Sequence, residues 1–235
     1  MDPGNKHFIR YLEALKGSRF FTHVQVDDLK PLLAGATVEQ WKPRTFHNSR
    51  EVTSSFHFIV SGRLKVFQMH PITGREHTIF LLSGGDVFDV LYLMDGESHD
   101  IYWESIDGIE LLSFPLEGLR RWLLATPMAQ MAAFNYLAHR MRLLEETATD
   151  IALHGTLVRL SNLLLKNING QSHKLELINN LPNEEIAGLI GTTRAVVNRH
   201  IQELKRCGAI SVKRKQIDIK NLEVLMAVAE EKYAI

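Results

Sequence analysis

The residues best suited to specific chemistry lie near the end of the chain, in the segment TTRAVVNRHIQELKR. A helix over this segment places Arg194, Asn198 and Arg199 on one polar face. The opposite face is apolar and consists of Val197, Ile201 and Leu204. Arginine can pair with O6 and N7 of guanine, and asparagine can pair with N6 and N7 of adenine. The pattern therefore predicts a helix that contacts bases in the major groove of DNA.

A shorter helix is predicted directly before it. Asn183 is placed to cap its start, and Glu184 and Glu185 suit the positive end of its dipole. Gly191 can adopt the left-handed conformation that ends it. Two helices joined by a tight turn containing glycine are typical of a helix-turn-helix.

A β-hairpin with a basic tip is predicted over residues 211–219, with Lys213, Arg214 and Lys215 at the tip. The segment from Arg194 to Lys215 holds seven lysines and arginines but one acidic residue, Glu203, which favours phosphate contacts. The predicted DNA-contacting residues are Thr192, Thr193, Arg194, Ala195, Asn198, Arg199 and Lys213.

The charge distribution agrees with a polyanionic ligand at one end of the chain. Residues 1–154 carry a net charge of −4 and residues 155–235 a net charge of +4, counted from the sequence. No apolar run is long enough to span a bilayer, and the start of the chain does not resemble a signal peptide. The single cysteine, Cys207, excludes an internal disulfide and a four-cysteine metal or iron–sulfur site. We expect a cytoplasmic protein without a membrane partner.

The elements that position the DNA-contacting segment fall into three regimes. Helices are expected over 5–16 and 27–34, the second capped by Asp27, and short strands with glycine turns over 37–114. One long helix is expected over 127–153, because no helix breaker occurs between Pro127 and Gly155. The predicted domains are 1–126, 127–154 and 155–235, in an α+β fold with an antiparallel β-roll or sandwich first.

The long helix carries an apolar stripe with the 3,4 spacing of a coiled coil. It consists of Phe134, Leu137, Met141, Leu144, Ala148 and Ile151. The stripe predicts a homodimer through this helix. The alternative is that the stripe packs on the chain's own β-domain, and a helix this long has faces enough for both.

Several segments together resemble the family of the cyclic-AMP receptor protein and FNR. They are FHFIVSGRLKVFQ, GREHTIFLLSGGDVF, the long helix, and EEIAGLIGTTRAVVNRHIQELKRCGAI. The resemblance covers nearly the whole chain. It implies a cyclic-nucleotide-binding-like β-roll, a dimerisation helix, and a winged helix-turn-helix that binds a two-fold symmetric site on double-stranded DNA, with RNA polymerase as a further partner.

The chain departs from the family where cyclic AMP would bind. Asp89 and Val90 stand where the cyclic-AMP binders have Gly-Glu, and Asp100 and Ile101 stand where they have Arg-Ser. Without the arginine, the phosphate loses its partner, and Asp100 would repel it. We therefore expect an effector other than a cyclic nucleotide, or none. The predicted effector pocket is formed by Leu91, Tyr92, Asp100, Ile101, Tyr102, Phe134, Leu137 and Met141, unless these residues are plain core.

The sequence also bears on the iron–sulfur and haem cofactors that members of the family bind. The N-terminal cysteine cluster of the FNR type is absent, which argues against an iron–sulfur cluster. Haem stays open, with His99 as the nearest candidate ligand. The recognition segment has Ala195 where the family has glutamate, so the DNA site should differ from the family's common half-sites.

The predicted function is that of an effector-modulated transcriptional regulator. The alternative is a haem, small-molecule or redox sensor that acts mainly through protein partners. An enzyme is not expected, because the sequence has no nucleophile elbow, phosphate loop or metal-spaced His/Glu motif.

Overall fold

The computed structural model describes residues 6–49, 54–169, 174–213 and 216–232. The chain folds into two compact units. The first comprises residues 1–74 and 79–143, and the second comprises residues 75–78 and 144–235. The helix predicted over 127–153 contributes residues to both units, and the division at 126 and 154 stays a prediction.

The first unit combines helices with antiparallel strands, as the sequence predicted. Its helices are α1 (Lys6–Lys16), α2 (Val26–Ala34), α3 (Val90–Asp95), α4 (Leu116–Ala125) and the first part of α5 (Pro127–Leu153). Its strands are β1 (Thr37–Trp41), β2 (Phe46–Asn48), β3 (Ser55–Ser61), β4 (Arg63–Met69), the larger part of β5 (Glu76–Ser83), β6 (Val87–Phe88), β7 (Tyr102–Ser105) and β8 (Ile109–Pro115).

The described strands β1 to β8 form two four-stranded sheets. Their orders are β1-β8-β3-β6 and β2-β7-β4-β5. Strand β3 lies inside the first sheet and is buried on both faces. Phe56 and Phe58 pack against the helices, whereas Ile59 belongs to a cluster that fills the space towards the second sheet. Trp103 of β7 and Phe88 of β6 belong to that same cluster.

Helix α5 packs on this unit through small residues. Ala129, Ala132 and Ala133 are buried, as is Tyr136, whose ring meets Phe20 edge-on at 5.5 Å. One turn later, Arg140 donates to the Tyr136 hydroxyl at 2.9 Å from Nε and also binds the Asp86 carboxylate. This face fixes how α5 lies against the β-domain.

The second unit holds the last part of α5 and four further helices. These are α6 (Thr156–Lys166), α7 (Asn183–Leu189), α8 (Arg194–Arg206) and α9 (Leu222–Ala229), with a hairpin of β9 (Ile210–Lys213) and β10 (Gln216–Ile219). Helix α6 packs on α9 and on α8 through buried side chains, among them Leu160, Leu164 and Leu225. The predicted order of helix, turn, helix and hairpin is confirmed.

Both predicted N-caps are wrong by one or two residues. Helix α2 has Gln25 at its N-cap position, and α7 has Pro182, each without a side-chain capping bond. Asp27 and Asn183 lie inside their helices instead, and each makes a hydrogen bond to another side chain. Asp27 accepts from Lys30 at 2.9 Å, and Asn183 bonds to a residue of α8 described below.

Among the described helices, none is both long and apolar enough to cross a membrane.

The buried His57 of β3 makes the stability of the first unit depend on pH. Its ring stacks on Phe88 at 4.9 Å, its Nε2 lies 3.9 Å from Glu39 Oε1, and its Nδ1 has no hydrogen-bond partner in the described part of the chain. Burial lowers the pKa of His57 from 6.5 to about 4, against a smaller opposing effect of Glu39. The unfolded chain therefore takes up this proton first, and stability falls as the pH drops from about 6.5 to about 4.

We predict that lowering the pH from 7.5 to 5 costs the first unit about 2 kcal/mol through His57 alone. The variant H57Q should lose this part of the pH dependence, measured as urea unfolding midpoints at both pH values. H70Q is the matched control, because the His70 side chain is exposed. Identical pH slopes for wild type and H57Q would contradict the prediction.

Candidate nucleic-acid interface

The rotation of α8 is set by a buried apolar side. Val197, Ile201 and Leu204 are buried, as the sequence predicted. They pack towards α7, whose buried residues include Ile186 and Ala187. Between the two helices, Gly191 has φ +65°, the left-handed conformation expected for the turn.

The predicted contact residues lie on the opposite side of α8. Arg194, Ala195, Asn198 and Arg199 are all exposed. Thr193 is exposed at the N-cap position, where its side chain makes no capping bond. Thr192 is half-buried, and its backbone N–H donates to the Ala187 carbonyl at 2.9 Å. The exposed polar face therefore begins at the amino end of α8.

A buried histidine holds α8 in place and was missed by the sequence reasoning. His200 is 6% exposed, with Nε2 2.7 Å from Thr156 Oγ1 and Nδ1 2.6 Å from Glu203 Oε2. Both ring nitrogens of His200 are thus within hydrogen-bonding distance of a side-chain oxygen, one on α6 and one on α8 itself. The available signal was the position of His200 beside Ile201, on the inward side of the helix.

Two further contacts involve the predicted contact residues directly. The Nε of Arg199 lies 3.9 Å from Glu203 Oε1, one turn further along the helix. The Nδ2 of Asn183 donates to Oδ1 of Asn198 at 2.5 Å, which joins the first residue of α7 to the exposed face of α8. Glu203, the acidic residue of this segment, thus contacts the His200 ring through Oε2 and lies beside Arg199.

The hairpin predicted over 211–219 is present as β9 and β10, paired with Lys213 opposite Gln216. Lys213 is exposed at the end of β9. Arg214 and Lys215, the rest of the predicted basic tip, lie outside the described residues.

The residues predicted to form an effector pocket occupy different surroundings. Tyr92 and Leu137 pack against the core beneath the helices, while Ile101 is buried in the cluster between the sheets. Tyr102 stacks on Phe46 at 5.3 Å. The remaining residues are exposed, namely Leu91, Asp100, Phe134 and Met141. Grouping Ile101 and Tyr102 in one pocket overlooked their alternation in an extended segment, which turns neighbouring side chains to opposite sides.

The segment that departs from the family is held by a carboxylate. Asp89 caps α3, accepting from the backbone N–H of Leu91 at 3.1 Å. Its second oxygen lies 2.5 Å from His99 Nε2. The Nε2 atom of His99 is therefore engaged with Asp89, and ligation of a haem iron through that atom would require this contact to break.

The predicted coiled-coil stripe on α5 is largely exposed. Phe134 is 60% and Met141 59% exposed, and Leu144, Ala148 and Ile151 are exposed as well. Leu137 differs, because it packs partly against the core of the first unit. The face that α5 buries on the β-domain is a separate one, formed by the three alanines and Tyr136.

The chain is similar to known transcriptional regulators in sequence and in fold. Residues 158–228 match the Crp-like helix-turn-helix domain. The chain is 24% identical over 207 residues to a CRP-like cAMP-activated global transcriptional regulator of Mycobacterium tuberculosis, covering 84% of this chain and 92% of that protein. It is 26% identical over 171 residues to the global nitrogen regulator of Synechocystis, covering 70% and 76%. The solved structure of FixK2 from Bradyrhizobium japonicum superposes with a TM-score of 0.73 at 18% identity, covering 85% and 98%.

Proposed function

We propose that the chain is a DNA-binding transcriptional regulator of the CRP/FNR type, as its Crp-like helix-turn-helix domain and its relatives suggest, and that it binds a specific two-fold symmetric DNA site as a homodimer, under an effector that is not a cyclic nucleotide. Two α8 helices would enter successive major grooves, about 34 Å apart along the duplex. RNA polymerase is the partner we expect for the bound dimer.

One observation carries the DNA-binding part of the proposal: the polar face of α8 is exposed while its apolar face is buried. Arg194 and Arg199 are exposed on that face, and Arg199 keeps its guanidinium exposed beside Glu203, with 3.9 Å between Nε and Oε1. Each could therefore pair with guanine through two hydrogen bonds. Thr192 and Thr193 at the helix start and Lys213 on the hairpin suit contacts to phosphates on either side.

We predict that R194A and R199A each weaken binding to the preferred site by about 1–3 kcal/mol and relax the preference at one base position. This corresponds to about 5- to 150-fold in Kd. The measurement is a titration of wild type and variants against the preferred duplex and its single-base changes.

R206A serves as the control, since it removes the same charge from the exposed far end of α8. It should leave the ranking of bases unchanged. Wild-type selectivity in both R194A and R199A would show that the reading face is misassigned.

The dimer part of the proposal is supported by the exposed stripe on α5. Exposed apolar side chains grouped on one helix face are typical of an interaction surface. The stripe's 3,4 spacing matches the seam of a coiled coil between two copies of the helix. Over 27 residues the helix is about 40 Å long, enough for several interlocking layers.

We predict that L144E converts the dimer to monomers, because it places a charge in the seam without a partner. Light scattering at micromolar concentration measures the change in mass. L124E is the matched control, because Leu124 is an exposed leucine of α4 outside the stripe. A wild-type monomer at this concentration would sink the proposal of an α5 dimer.

The residues at the positions where cyclic-AMP binders hold the phosphate support an effector other than a cyclic nucleotide. Ile101, in place of the serine, is buried among Phe88 and Trp103, and Asp100, in place of the arginine, is exposed and carries the wrong charge. An arginine–phosphate pair contributes charge-assisted hydrogen bonds of about 1.5–3 kcal/mol each.

We predict that cyclic AMP and cyclic GMP bind more weakly than micromolar. The loss of two such bonds weakens affinity by about 10²- to 10⁴-fold. Calorimetric titration of the full chain with each nucleotide is the measurement. A micromolar or tighter dissociation constant for either one would refute this part of the proposal.

A further inference from the structure

The hydrogen bond between Asn183 and Asn198 bears on which base the second of these residues can recognise. Asn198 is exposed between Arg194 and Arg199 on the polar face of α8. Its Oδ1 accepts from Asn183 Nδ2 at 2.5 Å. In this structure the oxygen of the Asn198 amide lies towards α7 and its NH2 group lies on the other side.

The direction of this bond agrees with the electrostatics of α7. Asn183 is the first residue of that helix and follows Pro182, which occupies the N-cap position and supplies no side-chain capping bond. The positive end of the helix dipole favours the amide oxygen of Asn183 on the side of the helix and its NH2 group pointing away. An outward NH2 group can only donate, so Asn198 must supply the acceptor.

We propose that Asn183 is a positioning residue that sets the base specificity of Asn198, by holding Oδ1 and leaving Nδ2 to donate into the major groove. This inference rests on the proposed function. Pairing with adenine needs both ends of the asparagine amide, the oxygen for N6 and the NH2 group for N7. With its oxygen turned towards α7, Asn198 directs its NH2 group at the base edge, and these donors match the two acceptors of guanine, N7 and O6. The sequence-based expectation of an adenine contact at Asn198 changes accordingly to guanine.

The bond gains importance when DNA is bound. In the free protein, water competes for both amides, and an exposed hydrogen bond contributes little. Contact with the base removes that water, and turning the Asn198 amide would then leave Asn183 without an acceptor. The choice of base at this position is thus coupled to a residue on the neighbouring helix.

The test compares full-length wild type with three variants on duplexes with randomised half-sites. N198A first identifies the base position that Asn198 contacts, as the position where preference is lost. At that position wild type should favour guanine over adenine. N183A should reduce this ratio, and N183D should reverse it in favour of adenine or cytosine, whose amino groups donate. The expected change in the ratio for N183D is on the order of ten-fold.

The reversal follows from the chemistry of the introduced carboxylate, which accepts but does not donate. It would draw the NH2 group of Asn198 towards α7 and turn the oxygen outwards. E184Q is the control for charge at this end of α7, since Glu184 is exposed and next in sequence. It should change the affinity for all duplexes alike and leave the base ranking as it is.

The outcomes separate the inference from the proposed function. A wild type without any sequence preference would contradict the proposed function itself. A selective wild type whose base ranking persists in N183A and N183D overturns the role of Asn183 alone. Uniformly weaker binding of N183A, with the ranking unchanged, would likewise overturn it, because a purely structural contact behaves in that way.

Discussion

The burial of one side of α8 is the constraint on which the DNA-binding surface depends. A helix turns by a fixed angle per residue, so burying Val197, Ile201 and Leu204 decides which side chains face outwards. His200 strengthens the constraint, because its two ring nitrogens are bonded to Thr156 and Glu203 in the interior. Glu203 belongs to α8 as well, so a rotation of α8 would break the bond to Thr156 of α6 and leave the buried Nε2 of His200 without that partner. The polar face is thereby held rigid, as recognition at the level of single bases requires.

Helix α5 obeys a similar constraint with different side chains. Its alanines let the helix lie close to the β-domain, and Tyr136 and Arg140 join it to the strand region around Asp86 and Val87. Because this face is fully used within the chain, the apolar stripe from Phe134 to Ile151 has no role in packing the first unit except at Leu137. The sequence left open whether the stripe forms a dimer seam or packs on the chain's own β-domain. In the structure Leu137 packs on the β-domain, and the contact between two copies of α5 stays a proposal.

The sequence predicted the helices well and the partners of polar side chains poorly. Breakers and periodicity define α5 and α8, because Pro127, Gly155 and Gly191 act locally on the backbone. The predictions of N-caps at Asp27 and Asn183 were wrong, because each side chain bonds to another side chain instead of the backbone of its own helix. The roles of His57 and His200 were missed for the same reason, since a histidine is as compatible with the surface as with a buried site. Some of these partners lie one turn away, as Lys30 does for Asp27, and others are remote in sequence, as Thr156 is for His200, so sequence periodicity alone does not select among them.

The interior of the β-domain limits how an effector could act on it. Its cluster between the sheets includes Phe88 and Trp103, with Trp103 only 2% exposed, and His57 stacks on Phe88. A ligand seated there would have to expose such rings, at about 1.5–3 kcal/mol for a side chain of this kind. A ligand that binds to exposed apolar residues does not have to displace buried rings. Leu91 of α3 is such a residue, with 51% of its surface exposed. On this argument, the effector of the proposed function would bind at the surface formed by α3 or α5 rather than between the two sheets.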